Sequence, residues 1–277
     1  MEKRMLNPTE ITSEIITTYE AKANYAPLKS LILGVLSGMF IALGGFASAT
    51  ASHSITNYSV SKLISGSVFP VGLILVIIAG TDLFTGNVLL TVPLLHKRIT
   101  FKQLVKNWVI VYFANMAGAI IVSLLLFYSG SLDVNYGALG AYSIKVAYTK
   151  SSLPFIKSFL SGILCNILVC LSVWISFAGK DIISKIFAIF FPIMAFVVSG
   201  FEHSVANMYY FSIGLLAKTN SQFVSNLGIS ESQLDSLNLK SVINNLVPVT
   251  LGNILGGALF VGTALYLAFI RTNKSKL

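Results

Sequence analysis

SGFEHSVAN, residues Ser199 to Asn207, places a glutamate and a histidine inside a stretch that is otherwise apolar enough to cross a lipid bilayer. A charge at membrane depth costs about 3 kcal/mol or more, so such residues face a cavity or a protein partner rather than lipid. Gly200, the two serines and the asparagine also weaken a helix. The stretch therefore predicts a break in the helix within a membrane span.

A similar stretch, AGTDLFTGN, occupies residues Ala79 to Asn87. When the two stretches are aligned on their glycines, three pairs of residues match: Gly80 with Gly200, Asp82 with Glu202, and Asn87 with Asn207. Two interrupted apolar segments in corresponding halves of a chain indicate a transport site at the interface between repeats.

The composition excludes a soluble protein. Of the 277 residues, 55% are hydrophobic and only 10% are charged, whereas a soluble domain carries about 25% charged residues. Several apolar runs exceed the roughly 20 residues that are needed to cross the hydrocarbon core. The net charge is +9, but the basic residues lie at loops and termini, which predicts membrane topology rather than a nucleic-acid partner. We expect an all-α polytopic membrane protein in contact with the lipid bilayer.

Six transmembrane spans are predicted, at about residues 28–50, 63–95, 105–128, 154–178, 183–217 and 242–270. Spans 2 and 5 are too long for one straight crossing and contain the two predicted breaks. We interpret residues 1–277 as one transmembrane channel domain, with a surface helix in 1–27, a first three-span repeat in 28–128 and a second in 154–270.

The repeat extends beyond the breaks. Span 1 has Lys29-Ser30 followed by Gly34, and span 4 has Lys157-Ser158 followed by Gly162. The sequence Asn-x-x-Gly begins at Asn115 in span 3 and at Asn253 in span 6. Since three is odd, two similar three-span units have opposite orientations in the membrane. The sequence predicts a 3+3 inverted repeat about an axis in the membrane plane.

Residues 7–27 are predicted to form a helix on the cytoplasmic membrane surface. Asn7 suits its N-cap and Pro8 its first turn, and four apolar residues recur along one face: Ile11, Ile15, Tyr19 and Ala23. Thirteen of the 19 lysines and arginines lie on the side of the two termini if six spans cross the membrane. This asymmetry predicts that both termini are cytoplasmic. Whether the helix gates a pore is left open.

A helix broken in the membrane leaves backbone N–H groups free at the start of its second half. We expect the carboxylates of Asp82 and Glu202 to accept these bonds, so that both residues, with Asn87 and Asn207, are structural. His203 differs because Leu83 stands at the matching position. A lone histidine with two helix ends suits a small anion.

The two cysteines, Cys165 and Cys170, are interpreted as small buried apolar residues, since a metal site needs more ligands nearby. No metal and no cofactor are predicted.

Four segments together resemble the formate/nitrite transporter family, which also includes hydrosulfide channels: AGTDLFTGN, GILCNILVCLSVW (Gly162 to Trp174), SGFEHSVANMYY and LVPVTLGNILGG (Leu246 to Gly257). The resemblance covers nearly the whole chain. It implies an aquaporin-like fold, a homopentamer with one pore per protomer, and passage of small monovalent anions of weak acids through a bacterial inner membrane.

The resemblance also implies site residues. The central histidine is His203, with Thr85 and Asn166 near it, and Lys150 is the vestibule lysine that draws anions to the pore. The hydrophobic constrictions are Phe69, Leu73, Phe196 and Val169. An anion does not readily enter an apolar constriction, whereas its neutral acid does. We therefore expect His203 to hydrogen-bond or protonate the anion.

Two alternatives remain open. An aquaporin-like pore for water, glycerol or ammonia shares the architecture, although the Asn-Pro-Ala pair typical of aquaporins is absent from the breaks. An intramembrane hydrolase is disfavoured because the sequence lacks HExxH and GxSG motifs, and we expect no enzyme. Formate, nitrite and hydrosulfide are not distinguished by the motifs. The abundance of Lys, Asn, Ser and Ile, typical of an AT-rich bacterial genome, slightly favours hydrosulfide.

Overall fold

The structure is a computed structural model that describes residues 5–228 and 230–271, except for the side chain of Glu231. Within these residues the secondary structure is helical apart from one isolated bridge between Met5 and Gly179. Twelve helical segments, here α1 to α12, follow one another along the described chain. Their bounds are α1 Pro8–Ala23, α2 Pro27–Ser52, α3 Tyr58–Ile78, α4 Phe84–Leu95, α5 Phe101–Tyr128, α6 Ala138–Ser151, α7 Phe155–Ser176, α8 Ile182–Ser199, α9 Ser204–Ala217, α10 Ser221–Ser225, α11 Glu231–Ser236 and α12 Leu239–Arg271.

Six of these segments are long and apolar enough to cross a membrane: α2, α3, α5, α7, α8 and α12. Six membrane-spanning segments were predicted from the sequence, and these six correspond to them. Among the first residues of these segments, the largest difference is at α3, which begins at Tyr58 rather than near residue 63. Asn57 explains the earlier start, because its side chain accepts the Val60 N–H and caps the helix.

The polar, glycine-containing region 129–153, between the third and fourth predicted spans, forms helix α6 in its second half. Asn135, Tyr136 and Gly137 have positive φ and make the turn that precedes the helix. Inside α6, Leu139, Ile144 and Ala147 are fully buried. Lys145 and Thr149 are exposed on the opposite face, whereas Ser143 is buried with the apolar residues.

The N-terminal helix α1 has the predicted cap and the predicted buried face. Asn7 forms a reciprocal capping box with Glu10, and Pro8 is the first helical residue. The side chains of Ile11, Ile15, Tyr19 and Ala23 are buried in a cluster with Val88 to Leu90 of α4. Helix α1 is therefore packed onto the bundle through one apolar stripe.

Helices α3 and α8 both end at a glycine in the left-handed conformation. Gly80 has φ +69° and Gly200 has φ +72°. A side chain disfavours this conformation, which explains why glycine stands at both positions. Non-helical residues 81–83 and 201–203 follow, and α4 and α9 begin at Phe84 and Ser204.

Close helix pairs bring the third and sixth apolar segments against the first and fourth. A Cβ atom on Gly38 of α2 would collide with the Asn115 carbonyl of α5, and one on Gly256 of α12 would collide with the Ile163 carbonyl of α7. Only glycine permits backbones to approach this closely. The approach carries Asn115 and Asn253 to the two helix ends.

Candidate functional site

Glu202, next to the end of α8, is the centre of a buried polar cluster. Its Oε1 accepts a hydrogen bond from Lys150 Nζ at 2.6 Å, which is also an ion pair. Its Oε2 accepts from Asn207 Nδ2 at 2.6 Å. Asn207 Nδ2 also donates to Asn245 Oδ1 at 2.8 Å, and Asn245 Nδ2 donates to the Lys150 carbonyl at 2.8 Å. The carboxylate is thus bonded through both oxygens and neutralised by one lysine.

Asp82 lies in a polar cluster in which a lysine and two asparagines are linked to the carboxylate in the same order as around Glu202. Its Oδ1 forms an ion pair with Lys22 Nζ at 2.8 Å and accepts from Asn87 Nδ2 at 3.3 Å. Asn87 Nδ2 also donates to Asn107 Oδ1 at 3.0 Å, and Asn107 Nδ2 donates to the Lys22 carbonyl at 3.4 Å. The side chains of Asp82 and Glu202 are 0% and 5% exposed, so each charge is compensated inside the protein.

The free N–H groups at the two helix starts are bonded by asparagines, not by the carboxylates. Asn115 Oδ1 accepts the Phe84 N–H at 2.8 Å, and Asn253 Oδ1 accepts the Ser204 N–H at 2.9 Å. The prediction that Asp82 and Glu202 accept these bonds is therefore wrong. A neutral amide can serve both sides of a break, because its NH₂ group donates while its oxygen accepts.

The NH₂ groups of these two asparagines use that capacity. Asn115 Nδ2 donates to the carbonyls of Gly34 and Asp82, and Asn253 Nδ2 donates to the carbonyls of Gly162 and Glu202. Each side-chain amide therefore bonds a non-helical residue of the break, the first residue of the helix that follows, and a neighbouring helix.

His203 precedes α9 and is held by its backbone. Its Nδ1 accepts the Ala206 N–H at 3.0 Å. Because an N–H can only donate, Nδ1 carries no proton in this arrangement, and the neutral ring carries its proton at Nε2. Nε2 lies 2.8 Å from Thr85 Oγ1 of α4. The ring therefore donates to Thr85, whose own hydroxyl proton stays available to another acceptor.

Asn166 of α7 lies behind Thr85. Its Nδ2 donates to the Thr85 carbonyl at 3.2 Å and to the Asn253 carbonyl at 2.6 Å. Its Oδ1 is buried and has no hydrogen-bond partner among the described residues. Cys170 Sγ also donates to the Thr85 carbonyl, at 3.4 Å. The structure thus brings Thr85, Asn166 and His203 together at one place.

Two aromatic rings lie beside the imidazole. Phe196 stacks on His203 with centroids 5.9 Å apart, and Phe69 packs edge-on against Phe196 at 5.6 Å. Leu73 and Val169 are buried in the same hydrophobic cluster as the two rings. The four predicted constriction residues are therefore all buried, with Phe196 against His203 and Phe69 against Phe196.

A cavity of about 360 Å³, here cavity 1, lies beside these rings. Its lining includes Lys62, Ser65, Phe69, Lys145, Phe196 and Lys150. Glu202 and His203 also contribute to its wall. Lys150 therefore lines cavity 1, where its charge is neutralised by Glu202, and its predicted role in drawing anions to the pore stays a prediction.

A smaller cavity of about 190 Å³, here cavity 2, lies beside the other helix end. Its lining includes Tyr19, Lys22, Val76, Gly80 and Lys185. Under the alignment of Gly80 with Gly200, Val76 occupies the position of Phe196. Both helix ends are therefore next to a lysine-containing cavity, but only cavity 1 has an aromatic inner wall at this position.

Sequence reasoning missed Lys22, Asn107 and Asn245. A usable signal existed: Gly34 and Gly162 are 128 positions apart, and Lys22 and Lys150 are separated by the same interval. Extending the repeat into the N-terminal helix would have paired the two lysines.

The chain is similar to known transport proteins over nearly its whole length. Residues 9–267 match the family model described as formate/nitrite transporter. The formate channel FocA of Escherichia coli strain K12 is 37% identical over 257 residues, which cover 91% of this chain and 90% of that protein.

Two solved structures have similar folds. A pentameric formate channel with formate bound superposes with a TM-score of 0.79 at 34% identity, covering 88% of this chain and 98% of that one. An ion channel of the same family superposes with a TM-score of 0.83 at 30% identity, covering 94% and 99%.

Proposed function

Because this chain belongs to the formate/nitrite transporter family and is a multi-pass membrane protein, we propose that it is a channel for small monovalent anions of weak acids. We propose formate as its substrate. The relative and the solved structure named for a substrate are both named for formate. This support outweighs the weak compositional argument for hydrosulfide, and nitrite and hydrosulfide remain arms of the test.

The observation that carries the proposal is the hydrogen-bonded pair of His203 and Thr85 next to the Phe69 and Phe196 rings. The Nε2–H of His203 and the hydroxyl of Thr85 are donors, and donors suit an anion. Phe69 and Phe196 offer no polar group, so an ion that passes them loses hydration without replacement.

The proposed mechanism follows from the hydrogen-bond donors of His203 and Thr85 and from the apolar rings beside them. An anion that reaches His203 accepts the Nε2 hydrogen bond in place of Thr85. A proton taken up from the solution, not the Nε2 proton of the neutral ring, converts it to the neutral acid that passes the apolar wall. Asn166 supports the site by holding the Thr85 carbonyl, while Leu73 and Val169 line the constriction with the two rings. Lys150 and Lys22 neutralise Glu202 and Asp82, and a buried carboxylate without its lysine would repel the anion.

We further propose that the two halves form a 3+3 inverted repeat with spans 2 and 5 broken in the membrane, an aquaporin-like arrangement. The matching hydrogen bonds around Asp82 and Glu202 support it, because one set of connections occurs in both halves. Asn87 and Asn207 are structural in this proposal. The first repeat comprises residues 28–128 and the second residues 154–270, with both termini and the 1–27 surface helix cytoplasmic.

The protein is proposed to be a homopentamer in a bacterial inner membrane, with a pore in each protomer. The pentameric formate channel that this chain resembles supports the assembly state. Chemical cross-linking or native mass spectrometry of the purified protein tests it, since a species of five chains is expected.

Stopped-flow light scattering on proteoliposomes tests the function. Shrinkage and swelling are compared in formate, nitrite, hydrosulfide and glycerol for the wild type, His203→Ala and Leu83→Ala, the matched position at the other break. We expect a preference for formate whose pH response is lost only in His203→Ala. Equal rates for glycerol and the anions, unaffected by either substitution, would identify a pore for neutral solutes instead.

A further inference from the structure

Lys62 is a half-buried lysine in the wall of cavity 1. Its Nζ lies 3.6 Å from the position that a Cβ on Gly200 would occupy, so the ammonium is beside the end of α8. Among the residues whose side chains are described, Lys62 forms no ion pair. The nearby Glu202 carboxylate already bonds Lys150 and Asn207 through its two oxygens. Lys62, whose Nζ lies 5.8 Å from the centroid of the Tyr58 ring, therefore contributes to cavity 1 a positive charge that no carboxylate neutralises among the described residues.

The other two lysines of the cavity are less suited to hold an anion. Lys150 shares its charge with Glu202 at 2.6 Å, so an anion that binds it competes with a buried carboxylate. Lys145 is exposed to solvent, where salt screens its charge within about 8 Å at physiological ionic strength. A half-buried charge without a partner is screened much less.

The helix that carries Lys62 leads from the cavity to the constriction. Lys62, Ser65 and Phe69 are spaced by three and then four residues, and all three line cavity 1. This spacing places them on one face of α3. The face runs from an ammonium through a hydroxyl to the ring that packs on Phe196.

We propose that the Lys62 ammonium is the group that captures the anion in cavity 1, while the Lys150 ammonium holds Glu202. The proposal rests on the anion-channel function proposed above. The ligand class is a small monovalent carboxylate or an inorganic anion of similar size, bound between Lys62 and Ser65 before it reaches the rings.

Cavity 2 shows the same division between a paired and an unpaired lysine. Lys22 is paired with Asp82, whereas Lys185 of α8 lines the cavity and forms no ion pair with any described side chain. Under the alignment of the two breaks, Lys185 matches Ser65 rather than Lys62. Each cavity thus has an unpaired lysine from the helix that precedes the other break, and the two lysines stand one turn apart under the alignment. An internal repeat alone would not produce this pattern, since it would place the two lysines at matching positions.

The test is the concentration dependence of formate flux into proteoliposomes at constant pH and low ionic strength. Four lysine variants are compared with the wild type: Lys62→Gln, Lys62→Arg, Lys145→Gln and Lys240→Gln. Lys240 is exposed and lies outside the walls of both cavities, so it controls for the loss of one positive charge. We expect Lys62→Gln to raise the formate KM about three- to tenfold, with little change in the maximal rate. Lys62→Arg restores the wild-type KM.

Salt gives a second readout. Adding an impermeant electrolyte should reduce the difference between the wild type and Lys62→Gln, because it screens the capturing charge. An unchanged KM in Lys62→Gln, or an equal rise in Lys145→Gln or Lys240→Gln, would overturn the proposal. Wild-type vesicles that carry no formate would instead refute the proposed function, so the two failures are distinguishable.

Discussion

The two helix ends, at Gly80 and Gly200, have matching hydrogen bonds and ion pairs but differ in the other side chains that lie beside them. Each has a carboxylate, a lysine and two asparagines in the same connections, and an asparagine that holds the freed N–H group. Only the second has a histidine, because Leu83 stands where His203 would be, and only the second has Phe196 where the first has Val76. What is duplicated bonds the break, and what is not duplicated is the part that the proposed mechanism uses.

The largest expected effect comes from the asparagines that the two ends share. Asn253→Leu removes three hydrogen bonds, those with the Ser204 N–H, the Gly162 carbonyl and the Glu202 carbonyl. Each unmade bond costs about 1–3 kcal/mol, so we expect little folded protein. Asn115→Leu should be equally damaging. Yield and thermal stability in detergent measure both, and a tolerated substitution at one end alone would show that the two ends are not equivalent.

The buried ion pairs come next. Lys150→Gln leaves Glu202 charged and unpaired, which destabilises by about 3–5 kcal/mol. The double variant Lys150→Gln/Glu202→Gln removes both charges and should recover most of that stability. The matched pair is Lys22→Gln with Asp82→Asn. Thermal unfolding in detergent measures the two lysine single variants and the two double variants, Lys150→Gln/Glu202→Gln and Lys22→Gln/Asp82→Asn. A double variant that is no more stable than its lysine single variant would contradict the neutralising role of that lysine.

His203 distinguishes the ends most sharply in function. His203→Ala removes the Nε2 donor, and we expect formate flux to fall by about 100-fold or more and to lose its pH response. Thr85→Val, which removes only the hydroxyl, should reduce flux while the pH response stays. Proteoliposome flux measured across a pH series separates the two variants. Wild-type flux and pH response in His203→Ala would end the protonation mechanism.

The aromatic wall gives the smallest expected effect. Phe196→Val makes the second end resemble the first and removes an edge-to-face contact worth about 0.5–1.5 kcal/mol. We expect formate flux to change by less than about threefold, while glycerol permeability rises because the constriction widens. Val76→Ile at the matching position serves as a control that should leave selectivity unchanged. Glycerol swelling rates measure the difference, and an unaltered glycerol rate in Phe196→Val would exclude this ring from the barrier.

Much of the fold could be predicted from the sequence because a bilayer constrains it strongly. Long apolar runs identify the six segments, and Gly80 and Gly200 show where helices end. Helix α6 was missed because its polar residues and its glycine-containing start dominate the composition, while its buried face has only a few apolar residues. An amphipathic helix beside a polar turn resembles a loop when composition alone is considered.

The partners of the carboxylates could not be predicted in the same way. Lys150 precedes Glu202 by 52 residues, and nothing local at either position indicates the other. The role of Asn253 is also distant in sequence, since its amide bonds Gly162 of another helix. Sequence reasoning placed a charge at each break but assigned the N–H bonds to the nearest acceptor rather than to an amide brought in by helix packing.

The order of residues along the chain has a consequence for biosynthesis. Lys22 precedes Asp82, and Lys150 precedes Glu202, so each cation is translated before the carboxylate that it neutralises. At about 5–20 residues per second, Lys150 leaves the ribosome about 3 to 10 s before Glu202. Asn115 and Asn253 are translated after the breaks that they close. The lysine that neutralises each carboxylate has therefore already been synthesised when the carboxylate enters the membrane. The N–H group at each break stays without its asparagine partner until the next span inserts.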